Sequence, residues 1–301
     1  MFASISQMAY IGYELEFYLF NAAEEPYEAI IEDCNLSTLF KSTFGDIKPE
    51  LGRGQFELAS RVFKSKEECL QSLVEFKNFL VQYAAERRLQ LITDSVLLKG
   101  DSPSSSLQFS ISFAGTNCND LIVMNAIWGL LNSLHFEDCL KIYLPTEHCK
   151  QRIVNKEIVK KYLNVPSAVA WGLTNNRTTA VRLVLDKGVN FDTELFEQRK
   201  NNAQNGKKNF GLLRGIKLAK NNITYDAKNA NISLATRFDN TDNTLPDYRI
   251  EFRVASSVAS PHDVLETIFE AIKQGIKTRS IPDAPVFGNA FDSFYALRQI
   301  A

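Results

Sequence analysis

Glutamates and arginines recur in this chain at spacings that a β-strand would bring to one face. In Asp247-Tyr248-Arg249-Ile250-Glu251-Phe252-Arg253-Val254, polar and apolar residues alternate. Successive strand side chains point to opposite faces, so Arg249, Glu251 and Arg253 share one face and Ile250, Phe252 and Val254 the other. The same design places Glu14 and Glu16 together in Tyr10–Phe20, opposite Tyr13, Leu15, Phe17 and Leu19. Two carboxylates at i and i+2 repel each other unless a cation lies between them. Gln55 and Glu57 follow a Gly52-Arg53-Gly54 turn that starts at Glu50, and Gln108, Ser110 and Ser112 alternate with Leu107, Phe109, Ile111 and Phe113.

Carboxylates without partnering cysteine or histidine favour hard, oxygen-seeking ions, Mg²⁺ or Mn²⁺. Arginine forks suit phosphate and carboxylate, because two parallel donors match two oxygens. Glu14, Glu16, Glu50, Glu57 and Glu251, beside Arg152, Arg177, Arg182, Arg249 and Arg253, are therefore a set that phosphoryl transfer could use. Spacing alone leaves a row of surface ion pairs equally open.

The elements that must position these residues are legible in outline. Ser65-Lys66-Glu67-Glu68 reads as a capping box, and apolar residues at helical spacing continue from Leu70 to about Arg88. Leu89–Leu98 reads as a buried strand and Asn119–Asp138 as an amphipathic helix. Ser260-Pro261-His262-Asp263 reads as an N-cap, N1 proline and acidic first turn. Residues 186–244 differ, being rich in Asn and Lys; they lack interleaved aromatics, so a solvated loop is favoured over a nucleic-acid surface.

The chain has 301 residues, 45% of them hydrophobic, and a net charge of -1. That is ordinary globular composition with no overall pull toward nucleic acid or anionic lipid. Five scattered cysteines without a CxxC pair fit reduced thiols. Histidine spacing gives no zinc motif, and neither a membrane-spanning apolar run nor a Gly-rich phosphate loop is present. A cytoplasmic protein is expected.

In order along the chain, five segments resemble the catalytic domain of the glutamine synthetase family. Gly12-Tyr13-Glu14-Leu15-Glu16-Phe17 resembles its ExE strand, and Glu50 through Gly54-Gln55-Phe56-Glu57 its E-x-x-P-G-Q-x-E segment. Leu144-Pro145-Thr146 through Arg152 resembles P-T-x-N-S-Y-x-R-L, Asn176-Arg177 through Arg182 resembles N-R-x-x-x-x-R, and Arg249-Ile250-Glu251-Phe252-Arg253 resembles R-I-E-x-R. The resemblance implies an α+β fold: a curved, mainly antiparallel sheet with helices packed on one face. It implies a single catalytic domain over residues 1–301, with a divergent insertion at about 186–244 and without the family's small N-terminal domain.

The implied activity is ATP-dependent ligation of glutamate to ammonia or another amine through a γ-glutamyl phosphate, with Mg²⁺ or Mn²⁺. By motif position, Glu16, Glu50 and Glu57 would hold one metal, and Glu14 and Glu251 the other. Arg182 and Arg249 would contact ATP phosphates, with Ser112 near the nucleotide. Arg177 would contact the ATP phosphates with them, or the transferred phosphoryl, while Arg152 and Arg253 would grip the glutamate carboxylates. Gln108 and Ser110 replace the family's H-x-H. Gln108 would be a neutral metal ligand through its amide oxygen, and Ser110 a substrate contact of shorter reach. A homo-oligomer, or a partner chain supplying the missing domain, is also implied. These departures leave a second expectation, a catalytically impaired homologue that binds nucleotide or glutamate as a regulator or partner subunit.

Overall fold

A computed structural model describes residues 9–94, 104–113, 120–154, 165–173, 176–185, 216–218, 223–226, 231–234, 248–283, 285–286, 290 and 297–300. Most of the Asn- and Lys-rich segment lies outside these. Within it, β8 (Ile216–Leu218), β9 (Ile223–Asp226) and β10 (Asn231–Leu234) form a separate antiparallel sheet.

The main sheet is built on β1 (Ala9–Phe20), β2 (Gly45–Pro49), β3 (Gln55–Ser60), β4 (Gln90–Ile92), β5 (Leu107–Phe113), β6 (Ala168–Leu173), β7 (Thr179–Leu185) and β11 (Tyr248–Phe252). Its order is β2-β3-β1-β5-β11-β7-β6, with β4 added to the end of β1. Every described pairing in it is antiparallel except β6 with β7, so the sheet is mixed. Asn176 is fixed just before β7: its Oδ1 accepts from Thr178 Oγ1 at 2.7 Å and its Nδ2 donates to the Val286 carbonyl at 2.9 Å.

Alternation on the strands separates two faces, as the sequence predicts. Ile11, Tyr13, Leu15, Phe17, Phe109, Ile111, Ile250 and Phe252 are fully buried in one apolar core. The core is completed by α3 (Lys66–Arg87), α4 (Asp120–Ser133) and α7 (Pro261–Thr278). Ser65 Oγ accepts from the Glu68 N–H at 3.1 Å, satisfying one free donor of the first turn of α3. Phe76 of α3 stacks among Phe17, Phe40 and Phe44, an apolar anchor that fixes the helix across β1. Helices α4 and α7 cross so closely that a Cβ on Gly129 would collide with the Ala271 carbonyl, and one on Gly275 with the Asn125 carbonyl. Glycine is what permits this approach.

Two sequence expectations change. Leu89–Leu98 is not a long buried strand over its described part, since pairing covers only Gln90–Ile92 and Gln90 is exposed. The cause is steric: β5 occupies that edge of β1 as far as Leu15, leaving only Tyr18–Phe20 free. The helix expected over Asn119–Asp138 ends at Ser133, and a second, α5 (Glu137–Tyr143), begins after a tight turn. There Ser133 Oγ donates to the Leu130 carbonyl at 2.7 Å, and the N–H groups of Leu134, His135 and Phe136 reach back three residues rather than four. The segment around Arg152 is a short helix, α6 (Glu147–Val154).

Candidate active site

The polar face has a charge order that follows the strand order. Glu14, Glu16 and Glu57 lie on β1 and β3, Arg182 and Arg249 on β7 and β11 around Glu251, and β5 lies between with neutral side chains. Register places Glu57 opposite Glu16, Gln108 opposite Glu14, Ser110 opposite Glu251, and Glu251 opposite Arg182. A cleft of ≈ 220 Å³ opens on this face over Tyr10, Gly12, Glu14, Ser110, Ser112 and Arg249.

In the acid half, Glu16 and Glu57 are buried, and Glu14 and Glu50 are half-buried. Gly54, with φ +75°, closes the turn after Glu50; a side chain there would also strike the Phe20 ring. Glu16 Oε2 accepts from the Ser106 N–H at 2.8 Å and Oε1 from Gln108 Nε2 at 3.3 Å. Those bonds do not offset burial and the nearby Glu57 and Glu50 charges, which push Glu16 up to about 8. Burial, followed by Glu57 and Glu251, pushes Glu14 up to about 7. Glu57 is also raised, chiefly by burial, although Lys48 Nζ stands 2.8 Å from its Oε1. That approach is skewed and leaves the buried oxygen without a hydrogen bond of good geometry.

The donor chemistry here, all carboxylate oxygen and short of positive charge, fits a hard divalent cation. Glu16, Glu50 and Glu57 are the residues that would hold it. Among the described residues, however, no three His, Cys, Asp or Glu side chains already converge in a metal-holding group.

In the basic half, Glu251 is a clamp. Its Oε2 accepts from Arg182 Nε at 2.7 Å and from the same guanidinium's Nη2, and its Oε1 accepts from Arg249 Nε at 2.8 Å. Burial would raise this carboxyl, but Arg182, Arg249 and Arg253 outweigh it and hold it below the usual range. Arg253 is buried; its Nε donates to Gln108 Oε1 at 2.9 Å and its Nη1 to the Arg177 carbonyl. Gln108 thus links the two halves, giving its amide nitrogen to Glu16 and its oxygen to Arg253. Ser110 and Ser112 line the cleft, and Arg177 is exposed.

Two expected roles meet geometry that does not suit them. Arg152 is 2% exposed, and its Nη2 donates to the carbonyls of Arg253, Val254 and Ala255. It braces the chain leaving β11 rather than presenting its fork to a substrate. Glu251 was expected with Glu14 on a second metal and Gln108 as a metal ligand, but both Glu251 oxygens and the Gln108 oxygen accept from arginines. Sequence reasoning passed over Lys48. The available signal was parity: the turn after Glu50 folds β2 onto β3 and sets Lys48 opposite Glu57.

Carboxylates beside arginines on one sheet face are a combination that ATP-dependent ligation of a carboxylate to an amine could use. Residues 10–108 match the family model of glutamate-cysteine ligase family 2 (GCS2), a family in that ligase class and similar to glutamine synthetase. The match spans 99 of 301 residues. It takes in Glu14, Glu16, Glu50, Glu57 and Gln108 and stops before Arg152, Arg177, Arg182, Arg249 and Arg253. No curated protein matches the chain. Among the described residues no helix is long and apolar enough to cross a membrane.

Proposed function

We propose that the chain is an ATP-dependent carboxylate–amine ligase acting on glutamate or a glutamate-like acid. The observation that carries this reading is the adjacency of an acid half and an arginine half on one sheet face, bridged by Gln108. In the first step a substrate carboxylate oxygen takes the γ-phosphoryl of ATP, ADP leaves, and an acyl phosphate forms. In the second, an amine attacks the acyl carbon, the C–O bond to phosphate breaks, and the amine gives up a proton as the amide forms.

Glu16, Glu50 and Glu57 would hold Mg²⁺ or Mn²⁺, which supplies charge neutralisation at the nucleotide oxygens. Arg249, in the cleft lining, and the exposed Arg177 would meet phosphate oxygens. Arg182 is aligned through Glu251, and Arg253 is oriented toward β5 by Gln108. Glu251 acts here as the charge that positions two guanidiniums.

The test is phosphate release with ATP, Mg²⁺ or Mn²⁺ and glutamate, with ammonia, cysteine and small alkylamines offered in turn. Release that depends on both acid and amine, matched by amide formed, is the expected result. Its absence with every amine and both metals would overturn the reading. The hold of Arg182 and Arg249 on both Glu251 oxygens favours a second reading, a nucleotide-binding homologue without turnover. Tight Mg-ATP binding by calorimetry, with no amine-dependent release, would select it.

A further inference from the structure

Arg177 is exposed, yet the backbone that carries it is fixed from both sides. Its neighbours Asn176 and Thr178 are buried. Asn176 Oδ1 accepts from the Thr178 N–H at 3.2 Å and from Thr178 Oγ1 at 2.7 Å. Thr178 Oγ1 accepts in turn from the Ala290 N–H at 2.8 Å, and Asn176 Nδ2 donates to the Val286 carbonyl at 2.9 Å. Asn176 also lies directly on the backbone of β6: a Cβ on Gly172 would stand 2.7 Å from the Asn176 Cβ.

Val286 and Ala290 come after α7, and this part of the chain is itself tied to β6. The Val286 N–H donates to the Trp171 carbonyl at 2.8 Å, and Trp171 Nε1 donates to the Asp283 carbonyl at 2.6 Å. The fastening reaches the arginines through one carbonyl. That of Arg177, between the two fixed neighbours, accepts from Arg253 Nη1, while Arg253 Nε donates to Gln108 Oε1 at 2.9 Å. Two nitrogens of the buried guanidinium are thus held from opposite partners, one of which depends on the backbone at Arg177.

We propose that Asn176 and Thr178 are positioning residues of the basic half, and that Val286 and Ala290, after α7, belong to it as their anchors. Together they fix the Arg177 backbone, which sets the exposed guanidinium for a phosphate and orients Arg253 through the Arg177 carbonyl. This rests on the arginine half of the ligase reading. A backbone ordered in advance spares the ligand the cost of ordering it.

The experiment uses Thr178→Val, which keeps the β-branched shape and removes the hydroxyl. The Ala290 N–H then loses its acceptor and Asn176 Oδ1 loses one of its two donors. Two readouts are taken on the full chain: hydrogen exchange at Arg253 Nε–H by nitrogen-15 NMR, the signal assigned by its absence from Arg253→Lys, and Mg-ATP affinity by calorimetry. Thr178→Val should speed the exchange by about tenfold or more and weaken Mg-ATP by about tenfold. Thr178→Ser, which keeps the hydroxyl, should restore both. Gly129→Ala, which disturbs the α4–α7 packing instead, should leave Mg-ATP affinity within about twofold, separating positioning from a general loss of stability. Should Thr178→Val fail to fold, Asn176→Asp takes its place, since it keeps Oδ1 and loses the donor to Val286. Unchanged exchange in the variant would overturn the proposal. So would faster exchange with Mg-ATP still bound within about twofold of wild type. If wild type binds no Mg-ATP while the exchange responds as expected, the ligase reading fails and the fastening of Arg253 stands.

Discussion

Glu251→Gln is the sharpest single test of the basic half. The wild-type carboxylate is 1% exposed and accepts from Arg182 Nε at 2.7 Å and Arg249 Nε at 2.8 Å, one guanidinium on each oxygen. Glutamine has nearly the same volume, so packing is preserved. It carries one acceptor and one NH₂, and the NH₂ must face a guanidinium, donor against donor. The charge that compensates buried Arg182 and Arg253 is also lost. Removing one partner of a buried, hydrogen-bonded ion pair costs about 3–5 kcal/mol. Arg249 is 38% exposed and recovers water, so its share is small. At roughly 2–4 °C per kcal/mol for a chain of this size, Tm should fall by roughly 6–20 °C. Differential scanning calorimetry in low and in 1 M salt would measure it, and the loss should persist at high salt because a buried pair is weakly screened. Arg182→Gln combined with Glu251→Gln should cost less than the two singles added together. A Tm within about 3 °C of wild type, or strict additivity, would mean that the polar face is a row of solvated ion pairs and that Glu251 positions nothing.

Arg152→Met should lower stability by about 3 kcal/mol in urea unfolding, because the carbonyls of Arg253, Val254 and Ala255 lose their donor; a KM effect on the acid substrate with unchanged stability would contradict this. Gly129→Ala should force α4 from α7 and cost more than the ~1 kcal/mol that alanine's better helix propensity would return, again read in urea. The metal-free protein should lose stability as pH rises from about 5 to 8. Glu14 and Glu16 have folded values raised to about 7 and about 8, so the folded state binds more protons than the unfolded one in that window and the slope is negative. Melting curves in a chelator across pH 5–9 would check it, and a rising Tm over that range would refute it.

The strands that carry the site were legible because each is half-buried. β5 runs over Leu107–Phe113, the bounds that alternation gives, and the Tyr248–Phe252 strand follows the same rule. A two-residue period needs only one apolar face to be visible. Helix ends at Ser65 and Ser260 were legible for a different reason: a side-chain hydroxyl must satisfy free N–H groups there, and in both cases it does. What a single strand's period does not contain is its neighbour. Strand order, and with it the separation of glutamates from arginines, arises from pairing between segments as distant as Glu14 and Gln108, or Arg182 and Glu251. Lys48 escaped notice because its meaning lies wholly in register. The inward turn of Arg152 was not legible because a short helix gives no indication of whether a long side chain turns outward or inward.

That distinction bears on how the site works. If each arginine were a separate contact, residue type would be enough and lysine could often replace it. In this structure the guanidiniums are coupled: Arg182 and Arg249 share Glu251, and Arg253 is tied through Gln108 to Glu16. Gln108 is neutral, so it can give its nitrogen to the acid half and its oxygen to the basic half at once, which a protonated histidine, being only a donor, could not do. The link has a direct consequence. A cation drawing Glu16 toward itself pulls on the amide nitrogen of Gln108, and the other end of that amide orients Arg253. Charge arriving on one side of β5 is thereby felt as a change of geometry on the other. Gln108→Leu, similar in size and without either hydrogen bond, should uncouple the halves. Its Mn²⁺ affinity should stay within a few-fold of wild type, while the dependence of acid or nucleotide binding on Mn²⁺ is lost, read by calorimetry as the disappearance of a coupling of about 1–3 kcal/mol. Coupling that survives in Gln108→Leu would mean that the two halves communicate by some route other than this amide.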